Sequence, residues 1–257
     1  MTGNYLSDTH AHLCSPAFDD DLATVLKRAG QAGVTSIVAV SENLDDTKKN
    51  LALAEQYPHL FPAAGLYPEF ANEEQAEECI RFILANRQYF VAIGEVGLDF
   101  WLAKTIEMRE AQKEVFSRFI KLAKELNLPL NVHSRSAGKY AIEMLLAAGA
   151  VKVQLHAFDG KASSALPAVE AGYFFSIPPS VVRSPQKQKL VKAVPLSRLL
   201  LESDSPVLGP EPGKRNEPAN IVHAIKAIAE IKQIHPQAVI EATAANTAKL
   251  YGGVLFP

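Results

Sequence analysis

The chain is short of cysteine, of excess charge and of long apolar runs, and each shortage closes off a class of protein. Two cysteines in 257 residues, Cys14 and Cys79, cannot build a disulfide framework. A reducing compartment, the cytoplasm, is the expectation. Cys14 follows His12 by two residues but reads as a small buried apolar side chain rather than a ligand, and Cys79, in the helical run Glu77 to Leu84, reads as core. A formal net charge of −2 gives no bulk attraction to a polyanion, so a nucleic-acid contact would need a local basic patch. No apolar stretch approaches the length that crosses a membrane. A strand begins within about five residues of the start, which leaves no room for a charged-then-apolar leader.

What is present is an ordinary globular composition, 48% hydrophobic and 21% charged, at the length of one barrel of strands and helices. Residues 1–257 read as a single domain. Short apolar runs at 4–8, 35–40, 61–66, 91–96, 129–133, 152–156, 173–177 and 198–202 alternate with longer amphipathic ones, which predicts eight strands and at least eight helices. Strands of this length separated by helices pair in parallel through right-handed crossovers. Eight such units favour an α/β fold closed as a (β/α)8 TIM barrel over an open sheet. Asp19, Asp20 and Asp21 suit the start of the first helix, which ends near Gly30 to Gly33, and Pro129 stops a long helix over 108–127. Prolines at 178–179 and 206–218 mark the loops after strands seven and eight.

Several strands run into a metal-type ligand at their C-terminal ends. His10 and His12 lie two apart, so an extended backbone points both imidazoles the same way. Glu95, His133, His156 and Asp204 end four further strands. Of the seven histidines, four stand at strand ends, and His59, His223 and His235 read as surface or packing residues. In a barrel these ends converge on one mouth. Four imidazoles and two carboxylates exceed what one catalytic ion takes, so two divalent ions are the better arithmetic. Glu95 can bridge ions about 3.5–4 Å apart. One ion would take His10, His12, Asp204 and one Glu95 oxygen; the other His133, His156 and the second oxygen. Asp204 can also accept a proton from the attacking water, and Glu95 and Asp204 are the candidate catalytic carboxylates. The bland reading makes Asp204 a helix cap and Glu95 a buried ion-pair partner.

Together, His10-Ala11-His12, Gly94 to Asp99, His133-Ser134-Arg135, His156 to Gly160 and Leu201 to Pro206 resemble the TatD family of metal-dependent deoxyribonucleases, across nearly the whole chain. Ile93 to Asp99, Asn131 to Ala137 and Ala171 to Ser180 look most like the branch with the animal TatD-domain proteins of the third type. The resemblance implies a metallo-hydrolase barrel, hydrolysis of DNA phosphodiesters, commonly from the 3′ end, activity at abasic sites, and metal ligands at the same six residues. It implies Mg²⁺, whereas imidazole-rich ligation suits Zn²⁺, Mn²⁺, Ni²⁺ or Fe. The family's Gly-x-His-Pro is here Gly65-Leu66-Tyr67-Pro68, and Tyr67 keeps a donor but cannot become cationic.

Arg135, two residues after His133, can hold a phosphate bidentately. Arg215 belongs to a looser basic set with Arg183, Lys187, Lys189 and Lys214, which more often reads as a solvated face. Trp101, Phe100 and Phe158 follow strand ends and offer rings for base stacking or for packing. Asp99 suits a partner for Arg or His better than a ligand. The expected substrate is DNA ends or short single-stranded DNA, with a monomeric enzyme and no obligate protein partner. Two rivals remain: an amidohydrolase of a small cyclic amide or ester, which a bridging lysine in place of Glu95 would favour, and a non-catalytic metal-binding barrel.

Overall fold

A computed structural model describes residues 5–255. Its eight parallel strands follow one another around a sheet in the order β1 to β8. They are β1 (Leu6–Ala11), β2 (Val34–Ala39), β3 (Leu60–Ala64), β4 (Ala92–Gly97), β5 (Leu130–His133), β6 (Val153–Leu155), β7 (Phe174–Ile177) and β8 (Leu199–Leu201). The seam between β8 and β1 is drawn together by Asp204 N–H donating to His10 O (2.8 Å) and His12 N–H donating to Ser205 O (2.8 Å). The result is a nearly closed barrel. The first strand starts later and runs further than its apolar run, because Ala11 still pairs with Ala39; His10 therefore lies inside the strand. Residue 4 of the run at 4–8 lies outside the described residues.

Nine α-helices surround the barrel among the described residues: α1 (Leu22–Gln31), α2 (Leu44–Gln56), α3 (Glu73–Ala85), α4 (Ile106–Leu126), α5 (Gly138–Ala147), α6 (Leu166–Glu170), α7 (Pro185–Ala193), α8 (Ile221–Lys232) and α9 (Pro236–Tyr251). The sequence accounts for their starts. Side-chain oxygens of Asn43, Asn72, Thr105 and Ser184 each accept an N–H in the first turn of α2, α3, α4 and α7. The longest, α4, buries Phe116, Phe119 and Ile120 against the strands, each contributing roughly 1.5–3 kcal/mol. No helix among the described residues is long and apolar enough to cross a membrane.

Alternation along the strands divides the buried residues into two sets. Ile37, Ala64, Ile93, Phe175 and Leu199 join the layer under the helices, whereas Val38, Ala63, Ala92, Phe174 and Leu200 form a second cluster with Leu250, Tyr251 and Leu255. The end of α9 and the turn after it thus pack into the barrel interior. Above that apolar plug the interior is polar. Asn131, Gln154 and Ser176 each stand between two apolar neighbours on β5, β6 and β7, and all are fully buried. Tyr251 donates to Gln154 Oε1 (2.6 Å), and Gln154 Nε2 donates to Ser176 Oγ (2.9 Å) and Thr9 Oγ1 (3.0 Å). These bonds satisfy the buried polar groups beneath the mouth.

Candidate metal centre

The mouth holds a cavity of about 430 Å³ lined by His12, Glu95, His133, His156 and Asp204 among others. Strand ends bring all six ligand candidates together, with His10 buried beneath them. Glu95 sits at their centre and its two oxygens face different partners. One oxygen lies 3.6 Å from His10 Nε2 and 3.3 Å from His12 Nε2. The other lies 2.7 Å from His133 Nδ1 and 2.9 Å from His156 Nε2. Asp204 joins the first group, 3.4 Å from His10 Nε2 and 3.5 Å from His12 Nε2. The His10 and His156 rings stack at 3.8 Å, so the two groups are adjacent.

The hydrogen bonds behind the imidazoles decide which nitrogens point inward bare. Asn131 Nδ2 donates to Thr9 O (2.9 Å), which leaves its Oδ1 to accept from His10 Nδ1 (2.8 Å). The His10 proton is therefore on Nδ1, and Nε2 presents a lone pair. Asp99 Oδ2 accepts from His133 Nε2 (3.0 Å), which frees His133 Nδ1 in the same way. His156 Nδ1 is buried without a hydrogen-bond partner and faces Glu202 Oε2 at 3.8 Å, with Nε2 turned to the cluster. Carboxylate or amide groups behind metal-binding histidines serve this purpose. Three bare nitrogens, His12 Nε2 and two buried carboxylates with no lysine or arginine among them fit divalent cations.

Without cations, protons hold the cluster together. Burial opposes charge on Glu95, but the surrounding imidazoles of His156, His10, His12 and His133 outweigh it and keep the carboxyl well below its usual range. Burial likewise opposes protonation of His133, yet its bonds to Asp99 and Glu95 raise it to about 9. His12 is raised well above 6.5 by Asp204 and Glu95, against its burial. Burial and the neighbouring His10 push His156 down to about 4. Asp204 is lowered, the imidazoles around it overcoming its burial.

The other candidates are placed unequally. Arg135 lines the pocket, with its guanidinium 3.8 Å from the Trp101 ring. Tyr67 also lines it, its hydroxyl donating to Asp99 Oδ2 (3.0 Å) and lying 3.5 Å from His133 Nε2. Arg215 does not join them: its guanidinium is held by both Asp21 oxygens (2.8 and 2.6 Å) and lies over Phe18, outside the residues that line the cavity. The long loop after β8 folds back onto the start of α1, which takes this side chain with it. Lys187, from the same basic set, does line the cavity. Phe158 is fully buried against Phe175 and offers no face to a base, whereas Trp101 is half exposed. Cys14 packs under the mouth with Sγ 3.8 Å from Val40 O, and burial pushes its thiol up to about 12.

Two acidic residues of the site were not singled out by the sequence pattern. Glu202 is fully buried; Ser176 Oγ donates to it (2.5 Å), as does Ala157 N–H (2.8 Å), and burial pushes its carboxyl up to about 7. Its signal is alternation, since 202 and 204 share a face and both follow β8. Glu42 lines the rim 3.7 Å from His12 Nδ1, and only the fold of the loop after β2 brings it there.

Comparison with known proteins agrees with this geometry. Residues 7–252 match the family model described as TatD related DNase. The chain is 48% identical to the human protein named Deoxyribonuclease TATDN3, over 96% of this chain and 94% of that one. It is 32% identical to the 3'-5' ssDNA/RNA exonuclease TatD of Citrobacter rodentium, covering 95% and 97% of the two chains. Among solved structures, YJJV, a TatD homolog from Escherichia coli K12, superposes with a TM-score of 0.89 at 28% identity over 98% of this chain and 99% of that one. The chain belongs to the TatD related DNase family of metal-dependent hydrolases.

Proposed function

We propose that the chain is a deoxyribonuclease that hydrolyses DNA phosphodiester bonds, from 3′ ends and at abasic sites, with two divalent cations drawn from Mg²⁺, Mn²⁺ or Zn²⁺. The observation that carries this reading is Glu95, a buried carboxylate whose oxygens face two separate histidine pairs. His10, His12, Asp204 and one Glu95 oxygen would hold one cation; His133, His156 and the other oxygen would hold the second. When bound, such cations polarise a phosphoryl oxygen and acidify water at neutral pH. The names of the relatives support DNA as substrate.

The chain's own groups supply the rest. Asp204 stays ionised near neutrality and accepts the proton of the attacking water. Arg135, its guanidinium over the Trp101 ring, takes non-bridging oxygens of the scissile phosphate. Tyr67 does not replace the family histidine as a cation; it steadies Asp99, and through it the orientation of His133. The test is release of nucleotides from 3′-labelled single-stranded DNA, screened across the three metals and in chelator. Glu95→Ala and Asp204→Ala should each abolish metal-dependent cleavage. Undiminished cleavage by both, or hydrolysis of a cyclic amide with DNA left intact, overturns the assignment.

A further inference from the structure

The wall of the cavity beside the histidine cluster carries three hydrogen-bond donors without anionic partners. Ser134, directly after the ligand His133, is 2% exposed, lines the cavity, and its Oγ has no hydrogen-bond partner. A buried hydroxyl left unpaired is destabilising unless something else meets it. Arg135 follows, fixed by Trp101. Lys187, which lines the same cavity, comes from the first turn of α7, where a positive charge opposes the helix dipole. Its Nζ donates to Ala157 O (3.0 Å), the carbonyl next after the ligand His156. A carbonyl takes one of three ammonium protons. Glu202, Asp204 and Asp159 lie in its field, yet none forms an ion pair with it among the described residues. Burial lowers the amine from its usual value, and those carboxylates counter the shift only in part.

An ammonium without an anionic partner, an unpaired buried hydroxyl and a guanidinium without an ion pair around one cavity ask for a group with several acceptor oxygens and negative charge. Phosphate has both. The donors do not belong to the cation cluster itself. Ser134 and Arg135 lie past His133, and the carbonyl that steers Lys187 lies past His156, so these groups come from the turns that follow β5 and β6. At about 430 Å³ the cavity falls within the range of small-ligand sites rather than that of a lone phosphate. Resting on the phosphodiesterase reading above, we infer that Ser134 and Lys187 form a second phosphate subsite, which holds the phosphate neighbouring the bond being cut, while Arg135 serves the scissile one. Lys187 and Ser134 are then what makes a polynucleotide a better substrate than an isolated phosphodiester.

Two measurements test this. The first compares kcat/KM on oligothymidylate with kcat/KM on bis(p-nitrophenyl) phosphate, which has one phosphodiester and no neighbour. Lys187→Met should reduce the ratio of the two roughly 10- to 100-fold, mostly through KM for the oligonucleotide, and Lys187→Arg should recover most of it. Ser134→Ala should act in the same direction with a smaller factor. An equal loss on both substrates overturns the subsite, because it puts Lys187 at the scissile phosphate; so does an unchanged ratio. The second follows fluorescein-labelled oligothymidylate binding in chelator against salt concentration. Losing one phosphate contact should reduce the slope of log affinity against log salt by about 0.7. A slope equal to that of the wild type overturns the subsite whether or not the enzyme cleaves. Wild-type protein that binds with the expected slope but cleaves neither substrate defeats the nuclease reading alone. If Lys187→Met does not fold, Lys187→Gln carries the same two comparisons.

Discussion

Asn131→Leu should damage one half of the cation site and leave the other intact. The substitution keeps the branching at Cγ and removes the polar contacts to Thr9, His10 and, at 3.5 Å, Tyr251. Asn131 Nδ2 donates to Thr9 O (2.9 Å), but Gln154 Nε2 donates to that carbonyl as well (3.2 Å), so Thr9 O stays satisfied. His10 Nδ1 has no such substitute for the Asn131 Oδ1 it loses at 2.8 Å. One orphaned buried donor costs about 1–3 kcal/mol of folding stability. More specifically, nothing then keeps the proton on Nδ1, and the lone pair on Nε2 is no longer assured. Loss of such a partner typically weakens metal affinity about 10- to 100-fold, or about 1.4–2.7 kcal/mol. Calorimetric titration with Mn²⁺ or Zn²⁺ should show one equivalent weakened by that factor and the equivalent at His133 and His156 close to wild type. Asn131→Asp keeps an acceptor facing His10 and should retain both equivalents while losing stability. Wild-type affinity for both in Asn131→Leu, or an equal loss in Asn131→Asp, would show that the tautomer argument is mistaken.

Chelation should lower the melting temperature, since each cation at a hundred times its dissociation constant adds about 2.7 kcal/mol; equal melting with and without metal contradicts the site. In the chelated protein His133 titrates at about 9 against an ordinary 6.5, so the folded state binds the extra proton. That contribution is full below 6.5 and lost as pH rises through about 9, so denaturant midpoints should fall across that window. Because cations take the places of those protons, metal binding at pH 8 should release protons, measurable as a dependence of binding heat on buffer ionisation enthalpy. Gly97→Ala should cost about 3–5 kcal/mol by denaturation. Its Cβ would sit 2.0 Å from His133 O at a backbone φ of +146°, and near-normal stability would mean that β4 and β5 separate freely there. Tyr67→Phe removes one hydrogen bond to Asp99 and should lower kcat/KM on DNA roughly two- to tenfold; a loss beyond a hundredfold would give the hydroxyl a direct part in the chemistry.

The strand ends were legible because their signals are local. His10 and His12 share a face through period two, and Glu95, His133, His156 and Asp204 each follow an apolar run, so the fold alone gathers them. The partners behind them were less so. Asn131, Gln154 and Ser176 do show a sequence mark, a polar residue between two apolar ones, but alternation alone does not say which face of a barrel strand looks inward. Arg215 and Lys187 look alike in sequence, as members of one basic set. What separates them is the course of two loops: one folds Arg215 back to Asp21, and the other delivers the start of α7 to the cavity wall. Glu42 owes its place to the same long-range geometry.

The stopper formed by Leu250, Tyr251 and Leu255 beneath the polar interior also bears on how the chain comes to be folded. Synthesis proceeds from the other end, and all eight strands exist before those residues do. Until they are made and seated, Asn131 and Gln154 lack their hydroxyl partner and the barrel's floor stands open to water. A nascent chain therefore carries a complete set of ligand side chains on an unsealed scaffold, and a shortened product lacking its last turn would be prone to capture by chaperones or proteases. Readiness to bind metal is then set by residues made after every proposed ligand.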